Sequence, residues 1–65
     1  MLFIINPISG KGKKAKIAQR LLDRGYKVAF TEYAGHAEVL AREATEDIVV
    51  AVGGDGTVNE VARGI

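Results

Sequence analysis

The hydrophobic residues of this 65-residue chain follow two alternating patterns, which predict strands and helices in turn. Short runs of branched and aromatic side chains are typical of strands, and they lie at Leu2–Ile5, Tyr26–Thr31 and Ile48–Val52. Apolar residues recur at helical spacing in the stretches Lys13–Arg24, Gly35–Thr45 and Val58–Ile65. The predicted order of elements is therefore βαβαβα.

The connections between the predicted strands are long enough for crossovers, so we expect a parallel sheet with helices on both faces. Asn6-Pro7 ends the first strand because proline cannot extend a central ladder, and Gly25 ends the first helix. We expect the strand order 2-1-3, because it brings the loops after the first and third strands together. They would meet in one crevice at the carboxyl ends of the strands, where such sheets bind ligands.

The stretch Val52–Glu60 is a glycine-rich turn between the third strand and the third helix. Gly53, Gly54 and Gly56 can take backbone angles closed to other residues and let a ligand approach the main chain. The helix that follows points unpaired N–H groups and the positive end of its dipole out of the turn, which favours phosphate binding. An alternative stays open, since Thr57 and Glu60 fit a capping box that would make a tight turn without a ligand.

Charged and titratable residues near these loops have both functional and structural interpretations. Asp55 would repel bound phosphates unless a divalent cation or a donor lies between, which indicates metal–phosphate chemistry; otherwise it bonds its own turn. Lys11 and Lys13 either add positive potential for a nucleotide or an anionic membrane surface, or are solvated residues. His36 has no metal-ligating partner at a suitable spacing, so we interpret it as a structural or surface residue.

A second nucleotide-binding pattern is present but weak. Gly10–Ala15 matches G-x-G-x-x-A, and Glu32 lies at a suitable distance downstream to bind a ribose. In that fingerprint the first glycine follows the strand directly, whereas Asn6–Ser9 intervenes here. No G-x-x-x-x-G-K-[ST] sequence occurs, which excludes a Walker A loop.

Composition is that of an ordinary globular chain, with 48% hydrophobic residues, 26% charged residues and a formal net charge of +1. This balance favours no nucleic-acid partner. There is no cysteine, so neither disulfides nor a thiolate metal site is expected. No apolar run approaches the roughly 20 residues of a membrane span, so we expect the cytoplasm or its membrane surface. The last helix is short, and we expect the chain to be the front part of a larger domain.

Two motifs together resemble the diacylglycerol kinase catalytic domain family, which includes bacterial lipid kinases and sphingosine kinases. The first is Asn6–Gly12, with the sequence Asn-Pro-Ile-Ser-Gly-Lys-Gly, and the second is Gly53–Val61, which begins Gly-Gly-Asp-Gly-Thr. The second motif alone is also similar to NAD kinases and, more loosely, to phosphofructokinases. The Asn-Pro-x-Ser-Gly opening separates the lipid kinases from both. Thr31 and Gly35-His36-Ala37 look like the family's second strand and the turn after it.

The resemblance implies an incomplete three-layer α/β domain with a parallel βαβαβα sheet of the NAD kinase/diacylglycerol kinase-like, Rossmann-like type. Residues 1–65 would be the N-terminal ATP-binding portion of a lipid kinase whose β-rich domain is absent from this sequence. ATP and Mg²⁺ are the implied cofactors, and Asp55 is the implied catalytic residue. The ATP-contacting residues carried over by motif are Asn6, Pro7, Ile8, Ser9, Gly10, Thr31, Gly53, Gly54, Asp55, Gly56, Thr57, Val58, Asn59 and Glu60.

The family's acceptor site, general base and structural Mg²⁺ ligands have no counterpart in this sequence. The resemblance therefore leaves the lipid unidentified, whether diacylglycerol or a similar one, and predicts no kinase activity for these 65 residues alone. It implies a peripheral membrane surface as a partner and leaves a homodimer open. Two alternatives remain, an NAD kinase-like enzyme and a nucleotide-binding module without catalysis.

Overall fold

The computed structural model describes residues 1–8 and 13–65, and within these ranges the chain forms three strands and three helices. The strands are β1 (Leu2–Ile5), β2 (Lys27–Phe30) and β3 (Val49–Val52). The helices are α1 (Lys13–Asp23), α2 (His36–Glu43) and α3 (Asp55–Gly64). The predicted order βαβαβα is confirmed. Gly25, predicted to end the first helix, follows α1 with a φ of 85°, the left-handed conformation that favours glycine at this position.

The three strands form one parallel sheet in the order β2-β1-β3, as predicted. Leu2 of the central strand lies opposite Lys27 on one side and Val49 on the other, and the register continues to Ile5. A central parallel strand is covered on both faces. Ile4 and Ile5, whose side chains point to opposite faces, are accordingly both fully buried.

Helices α2 and α3 pack against each other and cover one face of the sheet. Ile4 lies there in a buried cluster with Ala37, Ala41 and Val61. The two alanines and Gly64 leave room for a close approach of the helices. A Cβ atom added at Gly64 would meet the carbonyl oxygen of Glu38 and would lie 2.7 Å from the Ala41 Cβ.

The opposite face carries α1, which packs against β2 and buries Ala18. Phe3 of β1 contacts Tyr26 there edge to face, with ring centroids 5.3 Å apart. This face is less well covered, since Ile17 and Leu22 of α1 are 40% and 50% exposed. Within the described ranges, no helix is both long enough and apolar enough to traverse a bilayer.

Candidate functional site

Backbone hydrogen bonds carry the pairing one residue past the carboxyl ends of the strands. The Asn6 N–H donates to the Val52 carbonyl at 3.0 Å, and the Thr31 N–H donates to the Ile5 carbonyl at 2.9 Å. The Asn6 Oδ1 then accepts a hydrogen bond from the Ile8 N–H at 3.1 Å, a local turn that ends the strand. Asn6 and Thr31 are therefore held in fixed positions at the same end of the sheet.

A cleft of about 270 Å³ lies at this end of the sheet. Its lining comes from the segments that follow each strand: Asn6 and Ile8 after β1, Thr31, Glu32, Tyr33 and Ala34 after β2, and Gly56, Thr57 and Glu60 after β3. The predicted meeting of the first and third loops in one crevice is confirmed for the residues of these loops that the structure describes. Among the described residues, the segment after β2 contributes more lining residues than either of them.

The third helix begins earlier than the capping box requires. Its first residue is Asp55, and its N-cap is Gly54, in an extended conformation with no side-chain hydrogen bond to the cap. Thr57 therefore lies inside the first turn rather than at the N-cap, and the capping-box alternative is wrong. The first helical bond runs from the Val58 N–H to the Gly54 carbonyl at 3.2 Å, so the preceding N–H groups have no intrahelical acceptor.

The glycines of this turn do not take the unusual backbone angles predicted for them. Among the described glycines only Gly25 and Gly35 have positive φ angles, so unusual backbone angles do not explain Gly53, Gly54 and Gly56. A Cβ atom at Gly53 would lie 2.6 Å from the Thr57 Oγ1, so Gly53 makes room for the buried Thr57 side chain. At Gly54 and Gly56 an added Cβ would meet nothing within 4 Å. These two glycines leave the main chain uncovered, which is the arrangement that a bound anion needs.

The structure brings part of the predicted ATP-contacting set into the cleft. The residues that line it are Asn6, Ile8, Thr31, Gly56, Thr57 and Glu60. Those described but not lining it are Pro7, Gly53, Gly54, Asp55, Val58 and Asn59. Ser9 and Gly10 lie outside the described residues, as do Lys11 and Gly12 of the first loop. The contacts of all these residues with ATP stay a prediction.

The charges around the cleft raise the question of what would neutralise a phosphate chain. The described lining of the cleft contains two acidic side chains, Glu32 and Glu60, and no basic one. Asp55 is exposed in the first turn of α3, beside the lining residue Gly56. Within residues 1–8 and 13–65, no three acidic or histidine side chains come together as a metal site. These acidic side chains would repel a triphosphate in the cleft unless a divalent cation or a hydrogen-bond donor lies between them.

Sequence reasoning missed two lining residues, Tyr33 and Ala34, and reached Glu32 only through the weak dinucleotide pattern. The sequence signal for them was Gly35, because a glycine just before a helix is typical of a tight turn. Its φ of 91° shows that such a turn precedes α2. His36 has the structural role predicted for it. Its Nδ1 accepts a hydrogen bond from the Glu32 N–H at 2.9 Å, and its ring stacks on Tyr33.

Known proteins with similar sequences are lipid kinases by name. Diacylglycerol kinase of Bacillus subtilis is 39% identical, over 95% of this chain and 23% of that protein. Sphingoid long-chain bases kinase 1 of Arabidopsis thaliana is 38% identical, over all of this chain and 10% of that protein. Ceramide kinase of Oryza sativa subsp. japonica is 35% identical, over all of this chain and 13% of that protein.

The chain spans between a tenth and a quarter of the length of these curated relatives. It also matches the family described as the diacylglycerol kinase catalytic domain, and the match extends over residues 1–65. Both motifs that carry the resemblance lie inside this range. The resemblance is thus confirmed, and the chain belongs to the diacylglycerol kinase catalytic domain family.

Proposed function

We propose that residues 1–65 are the N-terminal ATP-binding portion of an ATP-dependent lipid kinase. The observation that carries the proposal is the single cleft in which Asn6, Thr31 and the first turn of α3 meet. Membership of the kinase family supports it, as do relatives whose names specify diacylglycerol, sphingoid bases and ceramide. Catalysis would then depend on segments beyond these residues, and the 65 residues alone would transfer no phosphate.

The N–H groups at the start of α3 would hold the phosphates of ATP. Gly56 and Thr57 line the cleft, and the N–H groups of the first helical turn have no intrahelical acceptor. Asn6 and Thr31, each positioned by a backbone hydrogen bond, would orient the rest of the nucleotide. Such a site supplies positioning and charge stabilisation, which are the main requirements of phosphoryl transfer.

In the proposed reaction the oxygen of a lipid hydroxyl forms a bond to the γ-phosphorus of ATP. The bond between that phosphorus and the oxygen bridging to the β-phosphate breaks, and ADP leaves with the electron pair. The hydroxyl proton passes to a base that we place outside these residues. The acceptor is diacylglycerol or a related lipid, presented at a membrane surface on the cytoplasmic side and bound by the C-terminal part of the protein.

Mg²⁺ fits the chemistry of this end of the sheet. Carboxylate oxygens are suitable ligands for this ion, and its other ligands are usually phosphate oxygens and water. Asp55, which begins α3 beside the cleft, would hold it together with the phosphates, while Glu60 lies within the cleft lining. When bound, the ion would neutralise charge on the phosphates that these acidic side chains would otherwise repel.

The test is a titration of the full-length protein with Mg·ATP, comparing Gly56→Val with Ala62→Val. Gly56 lines the cleft, whereas Ala62 is an exposed residue further along the same helix. We expect Gly56→Val to weaken ATP binding by at least about tenfold, because its side chain covers main chain that a phosphate must approach. Ala62→Val should leave the affinity unchanged.

Equal ATP affinities in the two variants would contradict the proposed site. The catalytic half of the proposal is tested separately, by following transfer of the γ-phosphate to diacylglycerol in mixed micelles. ATP binding without transfer to any lipid acceptor would favour the alternative, a nucleotide-binding module without catalysis. Replacing Asp55 by Ala should abolish turnover while leaving the protein folded.

A further inference from the structure

The segment after β2 forms a hydrogen-bonded turn that joins the cleft to the start of α2. The His36 N–H donates to the Tyr33 carbonyl at 3.1 Å, across a turn whose third residue is Gly35. Gly35 has a φ of 91° and a ψ of −10°, the angles that a type II turn requires at this position and that glycine takes most readily. The turn therefore sets the direction of the chain at Tyr33.

Two further interactions hold Tyr33 in place. Its ring stacks on the His36 imidazole, with centroids 4.4 Å apart and planes inclined by 15°. The His36 Nδ1 also accepts a hydrogen bond from the N–H of Glu32, the residue before Tyr33. Because His36 is the first residue of α2, the Tyr33 ring stacks on a residue whose backbone is helical.

One face of the Tyr33 ring remains available to a ligand. The imidazole covers one face, yet the residue is 60% exposed and lines the cleft. Tyr33 follows β2, whereas the N–H groups of Gly56 and Thr57 follow β3, on the far side of the central strand. With about 4.8 Å between neighbouring strands, these two walls are separated by about 10 Å. The cleft thus has an aromatic end and an anion-binding end.

We propose that Tyr33, supported by His36, is the platform on which the base of the nucleotide stacks. The inference rests on the proposed function, because it requires that the phosphates bind at the start of α3. It adds the direction in which the nucleotide lies, from Gly56 across Asn6 to Tyr33. Aromatic side chains bind bases through their faces. Because the His36 imidazole already restricts the Tyr33 side chain, stacking of a base costs less side-chain entropy.

The first test measures binding of Mg·ATP to the full-length protein by calorimetry, together with steady-state kinetics. We expect Tyr33→Ala to raise Kd and KM for ATP about tenfold, equivalent to about 1.4 kcal/mol, with kcat unchanged. Tyr33→Phe keeps the ring and should retain the wild-type values. The matched control is Tyr26→Ala, which removes a tyrosine that packs on Phe3 away from the cleft.

The supporting role of His36 is tested by two replacements. His36→Phe keeps a ring beneath Tyr33 and should hold the affinity for ATP within about threefold of wild type, whereas His36→Ala should weaken it as much as Tyr33→Ala. A second measurement needs no variant. The ring protons of Tyr33 should shift upfield when Mg·ATP binds and should stay in place when tripolyphosphate, which has no base, is added instead.

The outcomes separate this inference from the proposed function. If Gly56→Val weakens ATP binding while Tyr33→Ala leaves it within twofold of wild type, the phosphate site stands and the platform is overturned. If Gly56→Val has no effect on ATP binding, the proposed site itself fails, whatever Tyr33 does. An increase in KM for the lipid acceptor alone, in Tyr33→Ala, would also overturn the inference.

Discussion

Gly53 and Thr57 illustrate how a single missing side chain shapes the turn. Thr57 is a buried polar residue in the first turn of α3, only 6% exposed. Its Oγ1 and Cβ occupy the space where a Cβ atom on Gly53 would lie, at 2.6 Å and 2.9 Å from that position. The glycine is therefore required by packing rather than by its backbone angles, and the two residues act as a pair.

We expect Gly53→Ala to lower the free energy of unfolding by about 1–3 kcal/mol, the usual cost of overpacking. The control is Gly54→Ser, because an added Cβ meets nothing within 4 Å there and the backbone is extended, with a φ of −82°. Serine is a better N-cap than glycine, so this control should be stabilising by about 0.3 kcal/mol. Urea unfolding of the full-length protein measures the stability of both variants. Equal stabilities of Gly53→Ala and Gly54→Ser would contradict the packing explanation.

At the scale of the elements, α2 and α3 pack closely against each other. Gly64 at the end of α3 lies against the backbone of α2, where an added Cβ would meet the Glu38 carbonyl oxygen and, at 3.0 Å, the Arg42 nitrogen. Backbone atoms of a helix cannot move aside as a flexible side chain can. This contact fixes the distance between the two helices, and both helices begin at the edge of the cleft.

Gly64→Ala should therefore destabilise the protein by about 3 kcal/mol, the upper end of the range for overpacked sites. Gly56 provides a control in the same helix, since an added Cβ there meets nothing within 4 Å. Alanine is the better helix former, so Gly56→Ala should leave stability unchanged or raise it by up to about 1 kcal/mol. Thermal unfolding distinguishes the two. A Gly64→Ala protein as stable as Gly56→Ala would show that the helices can separate without cost.

At the scale of the whole molecule, an ion pair links segments far apart in sequence. The Lys27 Nζ lies 3.1 Å from the Glu46 Oε2, which joins the start of β2 to the connection between α2 and β3. The hydrogen bond from Lys27 holds the pKa of the Glu46 carboxyl below its ordinary value of 4.5, with a smaller effect from a backbone hydrogen bond. The folded state therefore favours the ionised form of this carboxyl.

The sign of the pH dependence follows from this lowered pKa. The pair contributes its full stabilisation above pH 4.5, and the contribution is lost as the pH falls through the lower pKa of the folded state. We expect Glu46→Gln to be less stable than wild type at pH 7 and equally stable once the carboxyl is protonated in both states. Unfolding curves from pH 7 to about pH 2 test this. Glu43→Gln is the control, since Glu43 forms no ion pair within the described ranges. A difference that persists unchanged at low pH would exclude the ion pair as its cause.

The sequence by itself determined the order of the elements, the parallel sheet with β1 at its centre, and the family. These features depend on the period of the apolar residues, on Pro7 and Gly25 at element ends, and on two motifs, all of which are local in the chain. The meeting of the Asn6 loop with the turn after β3 also followed, because parallel strands have their carboxyl ends at the same edge of the sheet.

Only the tertiary structure decided how the glycine turn is built and what completes the cleft. The start of α3 at Asp55 rather than near Thr57 excluded the capping box, since Thr57 is buried against Gly53 instead of capping a helix. Tyr33 became a wall of the cleft because β2 lies beside β1 and because His36 holds its ring. These outcomes depend on which side chains the folded chain brings into contact, and a local sequence pattern does not specify such contacts.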